Sequence, residues 1–471
     1  MSTKMPHGES LSIWGALTGQ GLAGRFIHSP ARDFALDALF AGSSIAGGVE
    51  RLRRRSVLVS TEEQLTAALA FIELDGVVRR MTICPPDFPD SALPEICEKA
   101  EVDAIVTDRV GRCFAPVPNC ERFTCNGHVL APNSRREASE ATEWVLFTSG
   151  TTGTPKLVTH SLAALTGAMK PGTASREPHV WATFYDIRRY GGLQIFLRAM
   201  LGNASMVLSS PDEQVGEHLA RLGRHGVTHI SGTPSHWRRV LMSPSALSMS
   251  PRVVRLSGEI ADQAVLDALH ALYPGAKVGH AYASTEAGVG FEVNDGLAGF
   301  PASYLNQVDA EVEMRVEDGC LYIRSNRTAG RYLGQQGRAL VRKDGFVCTG
   351  DTVEQQDGRY YFTGRKDGVI NVGGQKVHPE EVETIINRHP SISMSLVKTQ
   401  KNPIIGAIVV ADVVLKPEEQ DALCPERRAA LQKEILACCQ EYLPKHKVPA
   451  LIRFLPVLDL TAGGKLARQN A

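Results

Sequence analysis

The chain has 471 residues, 43% of them hydrophobic, so its length calls for more than one core. Lys plus Arg and Asp plus Glu balance at 51 each, which excludes a global electrostatic pull toward nucleic acid or an anionic membrane surface. The ten cysteines contain no Cys-x-x-Cys pair and no stretch approaches the length of a membrane span, so a soluble protein of a reducing cytoplasm is expected. The N-terminus has no basic segment followed by an apolar run, and no leader is expected. The local run Arg51, Arg53, Arg54, Arg55 is most simply a solvated face. Cys113, Cys120, Cys125 and His128 lack the paired spacing of a zinc knuckle and read as ordinary thiols and a surface histidine.

Apolar runs at Ser56–Ser60, Asp103–Thr107, Trp144–Thr148 and Ser205–Ser209 alternate with helical patterns, the signature of an α/β fold. After the third run comes Leu146–His160, LFTSGTTGTPKLVTH, the densest chemistry in the chain. Gly150 and Gly153 allow close approach of backbone amides to phosphate oxygens, Thr148, Ser149, Thr151, Thr152 and Thr154 add hydroxyls, and Lys156 adds a fixed charge. A Walker loop is excluded, because Pro155 precedes the lysine and Leu157 follows it. A plain Ser/Thr/Gly-rich surface loop is the competing reading.

Glu213–His225 and Asp262–Leu272 carry helical periodicity and precede strand patterns at Thr228–Ser231 and Lys277–Tyr282, which predicts parallel crossovers. The segment His280–Gly288, HAYASTEAG, ends the second of these strands with an aromatic, a hydroxyl and a carboxylate. Tyr282 suits a purine face, and Thr285 with Glu286 suits a phosphate-bound magnesium. From about Ala310 the pattern turns to short alternating strands broken by Asp-Gly, which predicts antiparallel hairpins over AEVEMRVEDGCLYIRS, VRKDGFVCTGD and EQQDGRYYFTGRKDG. Within them, Cys348–Asp351 puts a carboxylate after a tight turn, able to accept both hydroxyls of a ribose or merely to close a hairpin. Helices are predicted at His378–His389 and Glu426–Tyr442, with a strand at Ile404–Leu415 between them, and the junction between two domains falls near Arg365–Gly368. Near the end, GGKLAR presents Lys465 on a glycine-flanked loop.

Taken in order, TSGTTGTPK, YASTEAG, TGD, GRKDGVINVGGQKV and GGKLAR resemble the motifs of the adenylate-forming superfamily, which includes acyl-CoA and aryl-CoA synthetases, stand-alone adenylation domains and luciferases. The resemblance covers roughly residues 145–468. It implies a large N-terminal multi-subdomain α/β domain with parallel sheets and a small antiparallel β region, residues 1–365, and a small mobile α+β C-terminal domain, residues 366–471. It also implies roles. Thr148, Ser149, Gly150, Thr151, Thr152, Gly153 and Lys156 would hold pyrophosphate, Glu286 with Thr285 the magnesium, and Asp351 with Arg365 the ribose. Gly258, Glu259 and Ile260 would line the adenine opposite Tyr282. Lys465 would be the adenylation lysine, Asp367 the hinge, and Gly373 and Gly374 the tunnel for a pantetheine thiol; a plain Asp-Gly turn is the competing reading at Asp367.

The implied activity is attack of a carboxylate on ATP to give an acyl-adenylate, then transfer to the thiol of CoA or of a carrier-protein phosphopantetheine, with ATP, magnesium and CoA as cofactors. Relatives with a histidine before the acyl pocket are matched here by Trp181–Phe196, WATFYDIRRYGGLQIF, which has none. Tyr185, Asp186, Arg188 and Tyr190 therefore point to a small aromatic or polar acid, and Arg188 or Arg189 is a candidate for holding a second carboxylate, with a plain surface arginine pair as the competing reading. The expected partners are a small-molecule carboxylic acid and, in the carrier reading, an acyl carrier protein. Family grounds allow a homodimer. A non-catalytic nucleotide-binding protein of the same fold is the alternative from another class.

Overall fold

The computed structural model describes residues 12–468 apart from 110–119, 133–137, 149–155, 170–178, 306, 308–309, 335–338, 373–374, 403–405 and 462, and gives no side-chain environment for 401–406. The predicted α/β character holds. A seven-stranded sheet has the parallel strands Glu143–Thr148, Arg80–Ile83, Ser56–Val59, Ala104–Thr107 and Glu121–Thr124 in that spatial order, and Lys156–His160 runs antiparallel beside the first. The central four have every or nearly every residue buried, as expected where helices or a second layer cover both faces. The helix Gln64–Leu74, QLTAALAFIEL, is buried along its whole length, because it is apolar on nearly every face and so cannot lie at a surface.

An eight-stranded sheet contains the parallel set Val180–Thr183, His229–Gly232, Val253–Ser257 and Lys277–Ser284, with Gly288–Val293 antiparallel at its edge. The helices Val215–Arg224 and Gln263–Leu272 make the crossovers that their periodicity predicted, the second capped by Asp262, whose carboxylate accepts the Val265 amide at 3.0 Å. The helix Tyr190–Leu201 packs against the strand Lys277–Ser284 as well as against its own neighbours.

The antiparallel region is a five-stranded sheet built on the hairpins Val312–Glu317 with Cys320–Ser325 and Val347–Gln356 with Arg359–Arg365. Asp318, Gly319, Asp357 and Gly358 all have positive φ, the two-residue turn in which both central residues must be left-handed. The third Asp-Gly pair behaves differently from expectation. Only Gly345 is left-handed there, and the Arg342 amide donates to Phe346 O at 2.8 Å, so 341–346 is a loop feeding the strand Val347–Gln356 rather than a hairpin.

Toward the C-terminus, Ile392–Asn402 pairs antiparallel with Gly406–Leu415, which pairs parallel with Leu451–Phe454. The helices Pro379–Ile386 and Pro425–Tyr442 bury Val382, Ile386, Leu431, Ile435 and Cys439 in one core with Val397 and Val413. This is the expected small α+β unit. Its contacts with the larger part include Arg238, which donates to Ser393 O at 2.7 Å, and Arg239, which donates to Leu458 O at 2.9 Å.

Candidate active site

Parallel sheets gather ligand-binding groups at the carboxyl ends of their strands, where the chain turns into loops. Several of the motif residues lie at these ends. Thr148 closes the strand Glu143–Thr148 and faces Lys156, its direct cross-strand partner, so that the two residues bracket the glycine-rich loop. Ser149, Gly150, Thr151, Thr152 and Gly153, predicted for the phosphates, lie outside the described residues, as do Thr154, Gly373 and Gly374. The Lys156 ammonium stands over the Tyr332 ring, 5.5 Å from its centroid.

Gly258 follows the strand Val253–Ser257, and Thr285 with Glu286 follows Lys277–Ser284. The Glu286 carboxylate is half-buried and, among the described residues, has no hydrogen-bond or ion-pair partner. An oxygen donor left free at the mouth of a phosphate cleft fits a hard divalent cation, which takes one or two carboxylates and keeps waters and phosphates for the rest.

Asp351 sits across the antiparallel sheet from Arg365. Its carboxylate accepts the Tyr282 hydroxyl at 2.5 Å and faces the Arg365 guanidinium at 3.5 Å. Burial raises its pKa, against the pull of Arg365 and Tyr282. The Tyr282 ring stacks with Phe291 and Phe362, at 5.6 and 5.2 Å between centroids. Tyr282 is thereby both an aromatic wall and the fixed partner of Asp351. Asp367 lies just beyond, accepting from Arg365 Nε at 3.2 Å in a turn closed by the Gly368 amide on Arg365 O.

Lys465 arrives from the far end of the chain on the turn Thr461–Lys465. The Thr461 amide donates to Lys465 O at 2.7 Å and the Gly464 amide to Thr461 O at 2.8 Å. Two bonds dock this turn: the Thr233 hydroxyl donates to Gly464 O at 2.6 Å, and the Leu466 amide donates to Glu259 Oε1 at 2.8 Å. The other Glu259 oxygen accepts the Ser235 amide at 3.0 Å. The Lys465 stem passes so close to Gly258 that a Cβ there would meet Lys465 Cε at 3.4 Å. Lys465 is exposed as a residue, yet the protein around its ammonium lowers its pKa by desolvation, opposed first by Glu259 and then by Asp351. Lys465, Glu259, Glu286 and Asp351, spread over some two hundred residues of sequence, thus share one cleft. Ile260 is half-buried next to Glu259.

The acyl region departs from expectation at its polar candidates. Arg188 does not offer a free guanidinium to a ligand: its side chain is 1% exposed, it clasps both oxygens of Asp186 at 2.8 and 2.5 Å, and it donates to Thr61 O and Glu62 O at 2.6 and 2.9 Å. Arg189 is paired with Asp87. Tyr185 is also committed, its hydroxyl donating to Ser257 O at 2.7 Å, whereas Tyr190 begins a helix and packs near His160. Arg188→Ala is expected to destabilise the fold by about 3–5 kcal/mol, since Asp186 would be left buried without its partner. Denaturant unfolding measures this, and a loss below about 1 kcal/mol accompanied by altered acid selectivity would return Arg188 to the pocket.

Thr233, His236 and Arg468 escaped the sequence reading. Thr233 caps the helix Pro234–Leu241 in a box with His236. The His236 Nδ1 accepts the Thr233 amide at 3.2 Å, and burial pushes its pKa down to about 3, so the ring is neutral. Arg468 clasps Glu383 at 2.9 and 2.7 Å and holds the tail to the helix Pro379–Ile386. The signal for the first two was present, since Gly-Thr-Pro-Ser-His after a strand is a helix start at a strand's carboxyl end.

The family profile described as AMP-binding enzyme matches residues 57–333, and the one described as AMP-binding enzyme C-terminal domain matches residues 381–465. A 2-succinylbenzoate–CoA ligase of Geobacillus kaustophilus is 28% identical over 352 residues, which are 69% of this chain and 68% of that protein. A probable nonribosomal peptide synthetase, CymA, of Salinispora arenicola is 28% identical over 355 residues, 69% of this chain but only 4% of the synthetase. A solved benzoate CoA ligase of Burkholderia xenovorans superposes with a TM-score of 0.79 at 18% identity, covering 97% of this chain and 99% of that one.

Proposed function

The chain belongs to the AMP-binding enzyme family, and from that premise we propose that it activates a carboxylic acid with ATP and passes the acyl group to the thiol of CoA. The carrying observation is the docked Lys465 turn, which sets an ammonium among Glu259, Asp351 and Glu286. In this reading a carboxylate oxygen of the acid attacks the α-phosphorus of ATP and pyrophosphate leaves; the thiol sulfur then attacks the acyl carbon and AMP leaves. Negative charge builds on phosphate oxygens in the first step. Lys465 is the group placed to meet it, while Thr148, Lys156 and the loop 149–155 hold the pyrophosphate and Asp351 with Arg365 orients the ribose. Magnesium, held through Glu286, would neutralise phosphate charge when bound.

The second step needs Lys465 out of the way. A boundary between residues 365 and 366 with Asp367 as the hinge serves this, because the Asp367–Gly368 turn carries few packing constraints and both residues are exposed. The likeness to a peptide synthetase favours a carrier-protein phosphopantetheine as the second candidate acceptor. Small aromatic acids are the proposed substrates, in keeping with the Tyr190 and Tyr185 rings before the cleft and with the 2-succinylbenzoate and benzoate that name two of the ligases the chain resembles.

Acid-dependent exchange of labelled pyrophosphate into ATP across a panel of aromatic and aliphatic acids is expected to show turnover with at least one of them. Adding CoA or a holo-carrier protein to the best acid then identifies the acceptor by thioester formation. Absence of exchange with every acid would favour a nucleotide-binding protein without turnover.

A further inference from the structure

The strands Cys320–Ser325 and Val347–Gln356 pair regularly at Ile323 with Val347 and at Tyr322 with Cys348, but the next partner, that of Cys320, is Thr352. Between these pairs a single residue, Leu321, faces three, Thr349, Gly350 and Asp351, so Asp351 rides on a bulge. The bulge is tied on both sides. The Thr349 hydroxyl donates to Leu321 O at 2.7 Å and accepts the Asp351 amide at 3.1 Å. Gly350 is left-handed, with φ of +75°, and lies so close to Arg365 that a Cβ there would meet Arg365 Nη2 at 3.1 Å. Movement of the bulge therefore reaches both members of the Asp351–Arg365 pair.

Two cysteines stand at the foot of this bulge, one on each strand. Residues two apart share a face of a sheet, so Cys320 lies on the face of Tyr322 and of its partner Cys348, as a diagonal neighbour of the latter. The two sulfurs are 3.6 Å apart, in van der Waals contact, and both belong to free thiols. Cys320 is buried and Cys348 is exposed. Burial, and then the hydrogen bond with Cys348, push the Cys320 pKa up to about 11, so this sulfur keeps its proton at neutral pH; it also meets the Gly350 amide within the bulge. Cys348 is thus the sulfur that an oxidant reaches, with Cys320 directly behind it.

We infer that Cys320 and Cys348 are a site of reversible oxidation by hydroperoxides, and that the disulfide they form displaces Asp351 and weakens the binding of ATP. The inference rests on the reading of Asp351 and Arg365 as the ribose contacts and adds a control to that site. With hydrogen peroxide, the Cys348 thiolate attacks one oxygen, the O–O bond breaks, and the other oxygen leaves as water with the thiol proton, so that Cys348 becomes a sulfenic acid. The Cys320 sulfur then attacks the sulfenic sulfur, the S–O bond breaks, and hydroxide leaves as water with the Cys320 proton. Two thiols lose two electrons and one peroxide is reduced to two waters. Closure moves the backbone. The sulfurs must approach from 3.6 Å to about 2.0 Å, and diagonal Cα atoms, about 7–8 Å apart in a regular sheet, must come within about 4.4–6.8 Å. That contraction falls across the foot of the bulge that carries Asp351. The competing reading is a pair of thiols in ordinary contact that no oxidant joins.

Titration of the full-length protein with hydrogen peroxide, read by peptide mass mapping and by ATP binding, tests both halves. The wild type is expected to yield a peptide pair linked through Cys320 and Cys348 and to bind ATP at least about 10-fold more weakly, the scale of one charge-assisted hydrogen bond, with dithiothreitol restoring the affinity. Cys320→Ser and Cys348→Ser should each bind ATP within about threefold of the reduced wild type, with peroxide and without it. Absence of the linked pair, whether Cys348 stays reduced or passes on to sulfinic acid, would overturn the inference. An equal loss of affinity under peroxide in Cys348→Ser would place the effect at another residue and overturn it too. A linked pair with unchanged ATP affinity would also overturn it, and Asp351→Ala in the reduced protein then shows which premise failed. Weaker ATP binding by that variant keeps the ribose reading and removes the switch alone; unchanged binding removes both.

Discussion

Lys465→Ala is expected to lower acid-dependent pyrophosphate exchange by about 10²–10³-fold, the cost of removing one preorganised charge from a developing oxyanion, while ATP still binds. The reasoning is geometric. Lys465 is the cation brought from the small C-terminal unit into a cleft whose other members, Glu259, Asp351 and Glu286, act on it electrostatically. Lys156, by contrast, is fixed on the strand Lys156–His160 next to Thr148 and over Tyr332, where it can bind phosphate before and after the reaction alike. An interaction present equally in ground and transition states changes binding more than turnover. Desolvation lowers the Lys465 pKa, so its positive form is present at low and neutral pH and is lost, as pH rises, earlier than for a free lysine. The alkaline limb of the exchange profile should therefore fall early in the wild type and be absent from the residual rate of the variant. An exchange rate in Lys465→Ala within about tenfold of wild type would sink the assignment.

Much of this is legible in the sequence because the motifs use short-range chemistry. Asp318-Gly319 and Asp357-Gly358 demand left-handed backbone and so mark hairpins wherever alternating strands flank them. Thr148, Lys156 and Glu286 stand at strand ends and turns, and Asp351 follows the left-handed Gly350 within its strand, positions that local sequence can signal. Arg188 was misread for the opposite reason. Its acceptors at Thr61 and Glu62 lie more than a hundred residues away, and no local pattern tells a buried structural arginine from one that faces a ligand. The Cys320 and Cys348 pair was silent in the same way: it exists only once two strands are in register around a bulge. The strand Ile392–Asn402 was also missed, since ISMSLVKTQKN mixes serine and charge into its alternation and is buried mainly through pairing with Gly406–Leu415.

The second large effect concerns the residue before the lysine. Gly464→Ala is expected to lower pyrophosphate exchange at least 10²-fold, a barrier increase of about 2.7 kcal/mol, with Lys465 itself untouched. Gly464 has φ of +72°, a conformation that costs a residue with a Cβ about 1–2 kcal/mol. The steric term is larger. A Cβ at this position would stand 1.8 Å from His236 Cε1, and that half-buried ring is held in place, tied to the Thr233 amide and stacked on Phe184 at 5.2 Å. The turn would have to leave Thr233 and Glu259, taking Lys465 out of the cleft. Folding of the C-terminal unit should survive, because its core of Val382, Ile386, Leu431 and Ile435 does not include the turn. The variant therefore separates docking from folding. If the small unit must undock for thiol transfer, Gly464→Ala should still convert a synthetic acyl-adenylate and thiol to thioester at a rate close to wild type, while failing to make the adenylate itself. Exchange within a few-fold of wild type would show that the docked turn is not the arrangement that adenylates, whatever the fate of Lys465→Ala.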